Sequence, residues 1–420
     1  MFLILSFLSV ILNPNKTHNF MVLLYLAIQT IIPLTVDKNL KEDKVYKEIY
    51  IMSLLTIFIT FFVAASSFII FLKDFKGSVT VNNAEYLFGI FEGRLFGIMG
   101  NPNSGSLIAL IAIIVSLIIL AMRKYKLLRI GKIMKVFLIV NIILQFIILF
   151  LGNSRSTFVS LCAAFLLIFT YNYLRKFNKS VKSIITKVIT ILLICVITLS
   201  GLYLLSKASN KIVSYLPEVV SKIEAMSSSK SKVSVQKNAA GSENENTSTN
   251  TGSTHNTPEI TAPVDANRKY NSADISNSRF DIWKIGFKVF KNNPILGVGS
   301  ENIHDAAIKV ATSDFSDPGI LGNMHNIYIQ ILAGSGLFAL IAILAFLFRY
   351  LLINIGSFAK EIKSKSSAIN IYIFSMIVAL CVENFFDSNI VYFMCLFIVP
   401  IFWNYLGYSI YLAQRKGDIN

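Results

Sequence analysis

The chain has 420 residues, 54% of them hydrophobic and only 15% charged, with a mean hydropathy of +0.63 and a formal net charge of +16. A water-soluble protein of this length carries about 25% charged residues, so the composition excludes an ordinary soluble globular domain and points to an integral membrane protein. The cationic excess raises nucleic acid as a partner, and the positions of the charges along the chain decide against it.

About 20 apolar residues are needed to cross roughly 30 Å of hydrocarbon. On that rule the sequence predicts about ten spans, near residues 1–12, 19–36, 49–72, 103–122, 136–152, 156–174, 188–206, 324–348, 368–386 and 390–413. The first is short, but it has neither a basic start nor a small-residue cleavage site, so it reads as a membrane segment and not as a cleaved signal peptide. Cys162, Cys195, Cys381 and Cys395 all fall inside apolar runs without paired spacing. They read as small buried hydrophobes, neither a disulfide frame nor a metal site.

Lysine and arginine crowd a subset of the connections: Arg123, Lys124, Lys126, Arg129, Lys132 and Lys135 in one, Arg175, Lys176, Lys179, Lys182 and Lys187 in another, and Arg349, Lys360, Lys363 and Lys365 in a third. Lys38, Lys41, Lys44 and Lys47 follow the second span, and Arg415 and Lys416 lie in the tail. With ten spans these segments share one side, which the positive-inside rule makes cytoplasmic. That accounts for much of the net charge without nucleic acid. The domain organisation expected is then about seven spans over residues 1–206, a large extracytoplasmic loop over 207–323, and about three spans over 324–420. Within the loop, residues 227–278 are rich in Ser, Asn, Thr, Gly and Lys, a composition too poor in apolar surface to offset chain entropy, and a disordered tether is expected there. The fold class is all-α, a polytopic helical membrane protein whose one large loop contains short helices.

Ordered character resumes at Arg279. Phe280, Trp283, Phe287 and Phe290 recur at helical spacing, with Lys284, Lys288 and Lys291 on the adjoining flank. That is the pattern of a helix lying in the headgroup plane, and equally of a helix packed on the membrane domain with solvated lysines. Asn292, Asn293 and Pro294 stop the helix. Arg279 itself offers a fixed fork of donors suited to phosphate oxygens, or pairs locally with Asp281. Arg155, in L-G-N-S-R-S-T, sits between two apolar runs with almost no loop. Such an arginine marks a ligand path or snorkels to the headgroups. His325 opens the eighth span with Asn326 beside it, and either exchanges protons with a ligand or is an interfacial histidine. Gly334 and Gly336 permit close helix contact. Glu92 and Arg94 lie in F-E-G-R-L-F-G-I-M-G, too apolar for a free loop and read as a re-entrant or interfacial piece. Asn103 starts the fourth span, and Glu383 and Asp387 close the ninth on the same face. That shared face, with its arginines, histidine and carboxylates, suits a lipid diphosphate standing at the outer leaflet.

At these residues the chain resembles the O-antigen ligase and polysaccharide polymerase family of bacterial membrane glycosyltransferases. The matching pieces are G-N-P-N at residues 100–103, S-R-S at 154–156, S-R-F-D-I-W at 278–283 with N-P-I-L-G-V-G at 293–299, and H-N-I-Y-I-Q-I-L-A-G-S-G-L from His325. The family pattern often has an acidic residue where this chain has Gly334. The resemblance implies transfer of a glycan from an undecaprenyl-diphosphate carrier to a lipid-linked acceptor, with inversion and without metal or cofactor. By that analogy Arg155 and Arg279 hold the diphosphate leaving group and His325 orients or deprotonates the acceptor hydroxyl. Arg94, Asn103, Asp281, Trp283, Asn326, Tyr328 and Glu383 are the candidate substrate-binding residues. The implied partners are the carrier-linked oligosaccharide, the bilayer of the bacterial cytoplasmic membrane and other polysaccharide export components. A polymerase and a ligase share the donor chemistry, so both readings stay open. A lipid flippase would show repeated halves and polar groups at the bilayer midplane, and this sequence shows neither. A non-catalytic scaffold would not call for the ordered motifs after the tether.

Overall fold

The computed structural model describes residues 1–34, 40–81, 84–177, 184–223, 278–311, 321–364, 369–392 and 397–415. The tether expected at 227–278 lies, apart from Ser278, outside the described residues, as does Cys395. Among the described residues six helices are long and apolar enough to cross a membrane: Glu42–Leu72, Pro102–Lys124, Lys132–Gly152, Arg155–Lys176, Ile189–Ile223 and Ile327–Ile362. The other four expected spans are helical too, as Phe2–Leu12, Lys16–Leu34, Asn370–Glu383 and Ile398–Arg415. Phe2–Leu12 and Asn370–Glu383 are apolar but short. The chain is a polytopic helical membrane protein.

At the centre runs the helix Pro102–Lys124, whose run of Leu, Ile, Ala and Val is apolar on every side and is buried almost throughout. A helix of that kind can face protein or lipid on any side, and here Glu42–Leu72, Lys132–Gly152 and Asn370–Glu383 pack around it. Several polar groups inside the bundle pair with one another across helices. Asn141 Nδ2 donates to Ser116 Oγ (3.0 Å), and Gln145 Nε2 donates to Thr60 O (3.1 Å) and Asn141 Oδ1 (3.1 Å). Unpaired, such groups in an apolar surround each cost a few kcal/mol.

The segment between the helices Glu42–Leu72 and Pro102–Lys124 is where the all-α expectation falls short. Residues Gly77–Val81 (β1) pair antiparallel with Ala84–Phe88 (β2), Gly77 opposite Phe88, and Ile90–Phe91 (β3) pair with Arg94–Leu95 (β4). Glu92 and Gly93, at the tip of the second hairpin, both have positive φ (52° and 68°), as a two-residue turn matched to strand twist requires. The apolar stretch read as a re-entrant or interfacial piece is thus the second hairpin followed by the short 3-10 turn Gly97–Met99.

The feature that orders the loop-bearing end is a break in the long helix Ile327–Ser364. Gly336 has φ 82° and ψ −179°, a conformation open essentially to glycine alone. The break frees carbonyls of the preceding turn, and the N-P-I-L-G-V-G loop supplies the missing donors. Val298 N donates to Ala333 O (2.9 Å) and Gly299 N to Gly334 O (2.8 Å), while Leu337 N donates to Pro294 O (2.9 Å). The chain's first helix closes on the same junction. Ser9 Oγ donates to Gly334 O at 3.1 Å and Ser6 Oγ to Ser335 Oγ at 3.3 Å. Asn13 Nδ2 donates to Gly297 O (3.2 Å), Asn15 Nδ2 to Asn302 Oδ1 (2.6 Å), and Asn19 Oδ1 accepts from Glu301 N (3.0 Å).

A Cβ at Gly336 would stand 2.1 Å from Ile295 O, whereas one at Gly105 would meet nothing within 4 Å. Gly336→Ala is therefore expected to cost about 1–3 kcal/mol from backbone strain, before the clash is counted. Gly105→Ala, inside a helix, is expected to be neutral or stabilising. Thermal unfolding of the two variants in the same detergent checks the contrast, and equal melting temperatures would contradict this account of the break.

Candidate active site

The sequence S-R-S-T begins the helix Arg155–Phe177 directly after Lys132–Gly152. Asn153 sits in the left-handed region (φ 51°, ψ 39°) and turns the chain between the two helices. Ser154 caps the new helix, its Oγ accepting from Thr157 N at 3.5 Å and lying 3.0 Å from Thr157 Oγ1. Ser156, Thr157 and Ser160 then face the end of Asn370–Glu383. The Glu383 carboxylate, 1% exposed, accepts from Ser156 Oγ (2.7 Å) and Thr157 Oγ1 (3.2 Å) on one oxygen and from Ser160 Oγ (3.1 Å) on the other. Burying a carboxylate is costly unless its lone pairs are satisfied, and three hydroxyls do that here. Arg155, between Ser154 and Ser156 in sequence, is exposed at the rim above them.

Arg279 opens the helix Arg279–Asn292 and is partly buried. Burial pulls its guanidinium below the ordinary value, Asp387 and Glu383 pull it back up, and the neighbouring Arg155 pulls it down. The two arginines and the two carboxylates therefore share one electrostatic site. An arginine stays charged throughout any accessible pH range.

His325 stands in the left-handed region (φ 46°), held by its N–H donating to Asn323 Oδ1 at 2.8 Å. Its Nδ1 is buried without a hydrogen-bond partner among the described residues and lies 3.8 Å from Asp387 Oδ1. The imidazole side chain as a whole is about one-third exposed (32%). Burial by itself would raise the Asp387 carboxyl, but His325, the Ser388 N–H and Asn389 outweigh it and hold the group below its ordinary value.

Next to the histidine, Asn326 and Tyr328 fasten the helix start to the end of Asn370–Glu383. Asn326 Oδ1 caps by accepting from Tyr328 N (3.0 Å) and Ile329 N (3.1 Å), and its Nδ2 donates to Phe385 O (3.0 Å). Tyr328 OH donates to Cys381 O (3.2 Å), and its ring lies 4.6 Å from Phe385. Arg94 and Asn103 come together beside the Asn153 turn. Arg94 Nε donates to Gly152 O (3.1 Å) and one terminal nitrogen to Asn103 Oδ1 (2.5 Å), so the second hairpin is tied to the start of one helix and the end of another. Asp281 does not join the cluster. It is exposed, on the far side of its helix from Arg279, and bonds Lys284 Nζ at 2.8 Å. Trp283 is half-buried against Phe280, ring centroids 5.4 Å apart.

Arg155, Arg279, His325 and Glu383 were all legible as candidates. Asp387 was noted only as one more acid on that face, and its place beside His325 was missed. The three hydroxyls were missed as well. A detectable signal existed for them, since Ser156 and Ser160 are four apart on one helical face and an isolated glutamate in an apolar run needs donors.

Glu383→Ala removes the acceptor and leaves three buried hydroxyls without it, at about 1–3 kcal/mol for each one left unsatisfied. It is expected to lower the melting temperature more than Glu383→Gln, which keeps a carbonyl acceptor. Calorimetry of the two variants decides, and equal stability would refute the hydroxyl account.

Residues 140–344 match the family model described as O-Antigen ligase. No curated protein matches the chain. Arg155, Arg279 and His325 fall inside the matched stretch, whereas Arg94, Glu383 and Asp387 reach the same end of the bundle from outside it. Over residues 140–344 this membrane protein is thus similar to the O-antigen ligase family, whose members are membrane glycosyltransferases acting in ligase- or polymerase-type glycan transfer.

Proposed function

We propose that the protein is a polysaccharide polymerase. It transfers glycan from an undecaprenyl-diphosphate-linked donor to a lipid-linked repeat-unit acceptor at the extracytoplasmic face of the bacterial cytoplasmic membrane. The observation that carries this reading is the convergence of two arginines with a histidine–aspartate pair at one end of a helical bundle of about ten spans. The lysine- and arginine-rich connections lie towards the opposite end, as an extracytoplasmic site requires.

In this reading Arg155 and Arg279 grip the diphosphate. A guanidinium binds phosphate oxygens through two parallel donors, and preorganised cations at a developing leaving-group charge are worth several kcal/mol in a water-poor site. Asp387 orients His325 through Nδ1 and leaves Nε2 as the base. The acceptor hydroxyl loses its proton to Nε2 as its oxygen bonds to the anomeric carbon. The bond from that carbon to the diphosphate oxygen breaks, and the configuration inverts. Glu383, satisfied by its hydroxyls, lies beneath the arginines and fixes the helix end from which Asp387 hangs. The match to the O-antigen ligase family model favours a second reading, a ligase that moves the finished glycan to a lipid, protein or wall acceptor.

Reconstitution with purified carrier-linked repeat unit, read as product length on a gel, tests the proposal. A ladder of lengthening chains supports the polymerase. Single transfer onto a different acceptor supports the ligase, and no transfer to any acceptor removes both. In the same assay His325→Ala is expected to lose about 10²–10⁴-fold in rate and Arg279→Ala about 10²–10³-fold, with protein level unchanged. Arg155→Lys keeps the charge but loses the fork, and should retain only part of the rate.

Asp387 also predicts an acid limit. Its folded-state pKa is lowered, so its stabilising contribution is full above the ordinary carboxylate value of about 3.9 and is lost as pH falls through the lower folded value. Asp387→Asn is expected to flatten that acid limb of the melting-temperature profile. An unchanged limb would deny Asp387 this role.

A further inference from the structure

We propose that the helix Arg279–Asn292 is a membrane-surface anchor that binds the anionic headgroups of the leaflet on its own side, independently of the glycan-transfer reading. Its three faces differ in kind. Ile282, Ile285, Gly286 and Val289 are buried against the protein, with Gly286 closed on by Ile329 and Met324. At about 100° per residue the aromatic residues fall on the next arc. Phe280 is 59% and Phe287 45% exposed, although two large aromatic rings on a packed protein helix would ordinarily be covered. The arc beyond them carries Lys284, Lys288 and Lys291, all exposed. Packed aliphatic residues, exposed aromatics and then lysines is the order expected of a helix seated at a headgroup boundary, its rings among the acyl-chain tops and its ammonium groups at phosphate depth.

Position along the bundle supports the same occupant. The helix leads into Pro294, whose carbonyl accepts from Leu337 N at the break of the long helix. From that break onward Leu337, Phe338, Ile341 and Leu344 are exposed. They form a lipid-facing strip that is long enough, with the rest of its helix, to cross the hydrocarbon unaided. The membrane edge therefore lies at the break, and the aromatic helix lies beside it. Exposed Ile295, in the connection between the two, continues the apolar surface. Acidic groups on the helix do not cancel the lysines. Asp281 is its one carboxylate and is matched by Lys284 alone, which leaves Lys288 and Lys291 for phosphates. A second protein could cover an aromatic face as well, but it would not require cations in line with the membrane edge.

The test uses the full-length chain in nanodiscs of phosphatidylcholine, with and without phosphatidylglycerol. The chain has two tryptophans, so the difference between wild type and Trp283→Phe isolates Trp283, and the remaining Trp403 emission reports that the variant is folded. Lipids brominated near the top of the acyl chain are expected to quench the Trp283 component, and lipids brominated near the chain end to leave it. Quenching is expected to weaken when phosphatidylglycerol is omitted, when salt is raised, and in the Lys284→Glu/Lys288→Glu/Lys291→Glu protein. Quenching by soluble acrylamide with no response to shallow brominated lipid would overturn the proposal, as would protection from both quenchers, the result expected of a protein partner. Equal quenching with and without phosphatidylglycerol would overturn its anionic part. Because no arm reads glycan transfer, failure here and failure of the proposed reaction are separate results.

Discussion

The loop-bearing end of the molecule depends on a helix that is interrupted and then repaired. A gap in the hydrogen-bond ladder within an apolar surround leaves carbonyls that cost several kcal/mol each if unmet. Here the backbone of residues 294–299 meets them, at Ala333 and Gly334. The repair has a geometric result. The segment that enters the junction ends the helix begun by Arg279, and the helix it enters begins two residues after His325. One backbone joint therefore sets where the arginine lies relative to the histidine, and the rings and lysines between them are carried along.

Charge is distributed with similar economy. The diphosphate of the proposed reaction and a pair of carboxylates would repel each other, so acids in such a place need other occupations. Glu383 is sunk beneath the rim and satisfied by hydroxyls, and Asp387 faces His325. Arg155, set in the S-R-S-T turn, is the exposed group at the rim. The same turn thus supplies the cation and the donors that satisfy the acid beneath it.

How much of this was readable in advance follows from the physical range of each signal. Helices announced themselves through continuous apolar runs, and Arg155, Arg279 and His325 through polar residues at the ends of such runs, where insertion energetics make them conspicuous. Hairpins at 77–95 did not, because two-residue turns and five-residue strands leave a pattern shorter than an apolar window, and the E-G pair at 92–93 is a weaker turn signal than N-G. Partnerships across long separations were the least readable. Nothing local ties Ser160 to Glu383 or Asp387 to His325. Asp281 shows the converse error: it was weighed because it neighbours Arg279 in sequence, and the helix turned it away toward Lys284. The stretch 227–278, read from composition alone as a tether, lies outside the described residues apart from Ser278.

The clamp made by the first helix has a consequence for synthesis. Ser9 and Gly334 are separated by 325 positions. At roughly 5–20 residues per second, translation takes on the order of fifteen seconds to a minute to reach the second partner once the first has emerged. Through that interval Ser6, Ser9 and the asparagines at 13, 15 and 19 lack their final partners, and closing so wide a loop adds an entropic cost that grows only slowly with length. The helix Phe2–Leu12 is therefore slow to settle, and the end of the bundle it secures matures only once residue 334 has been inserted.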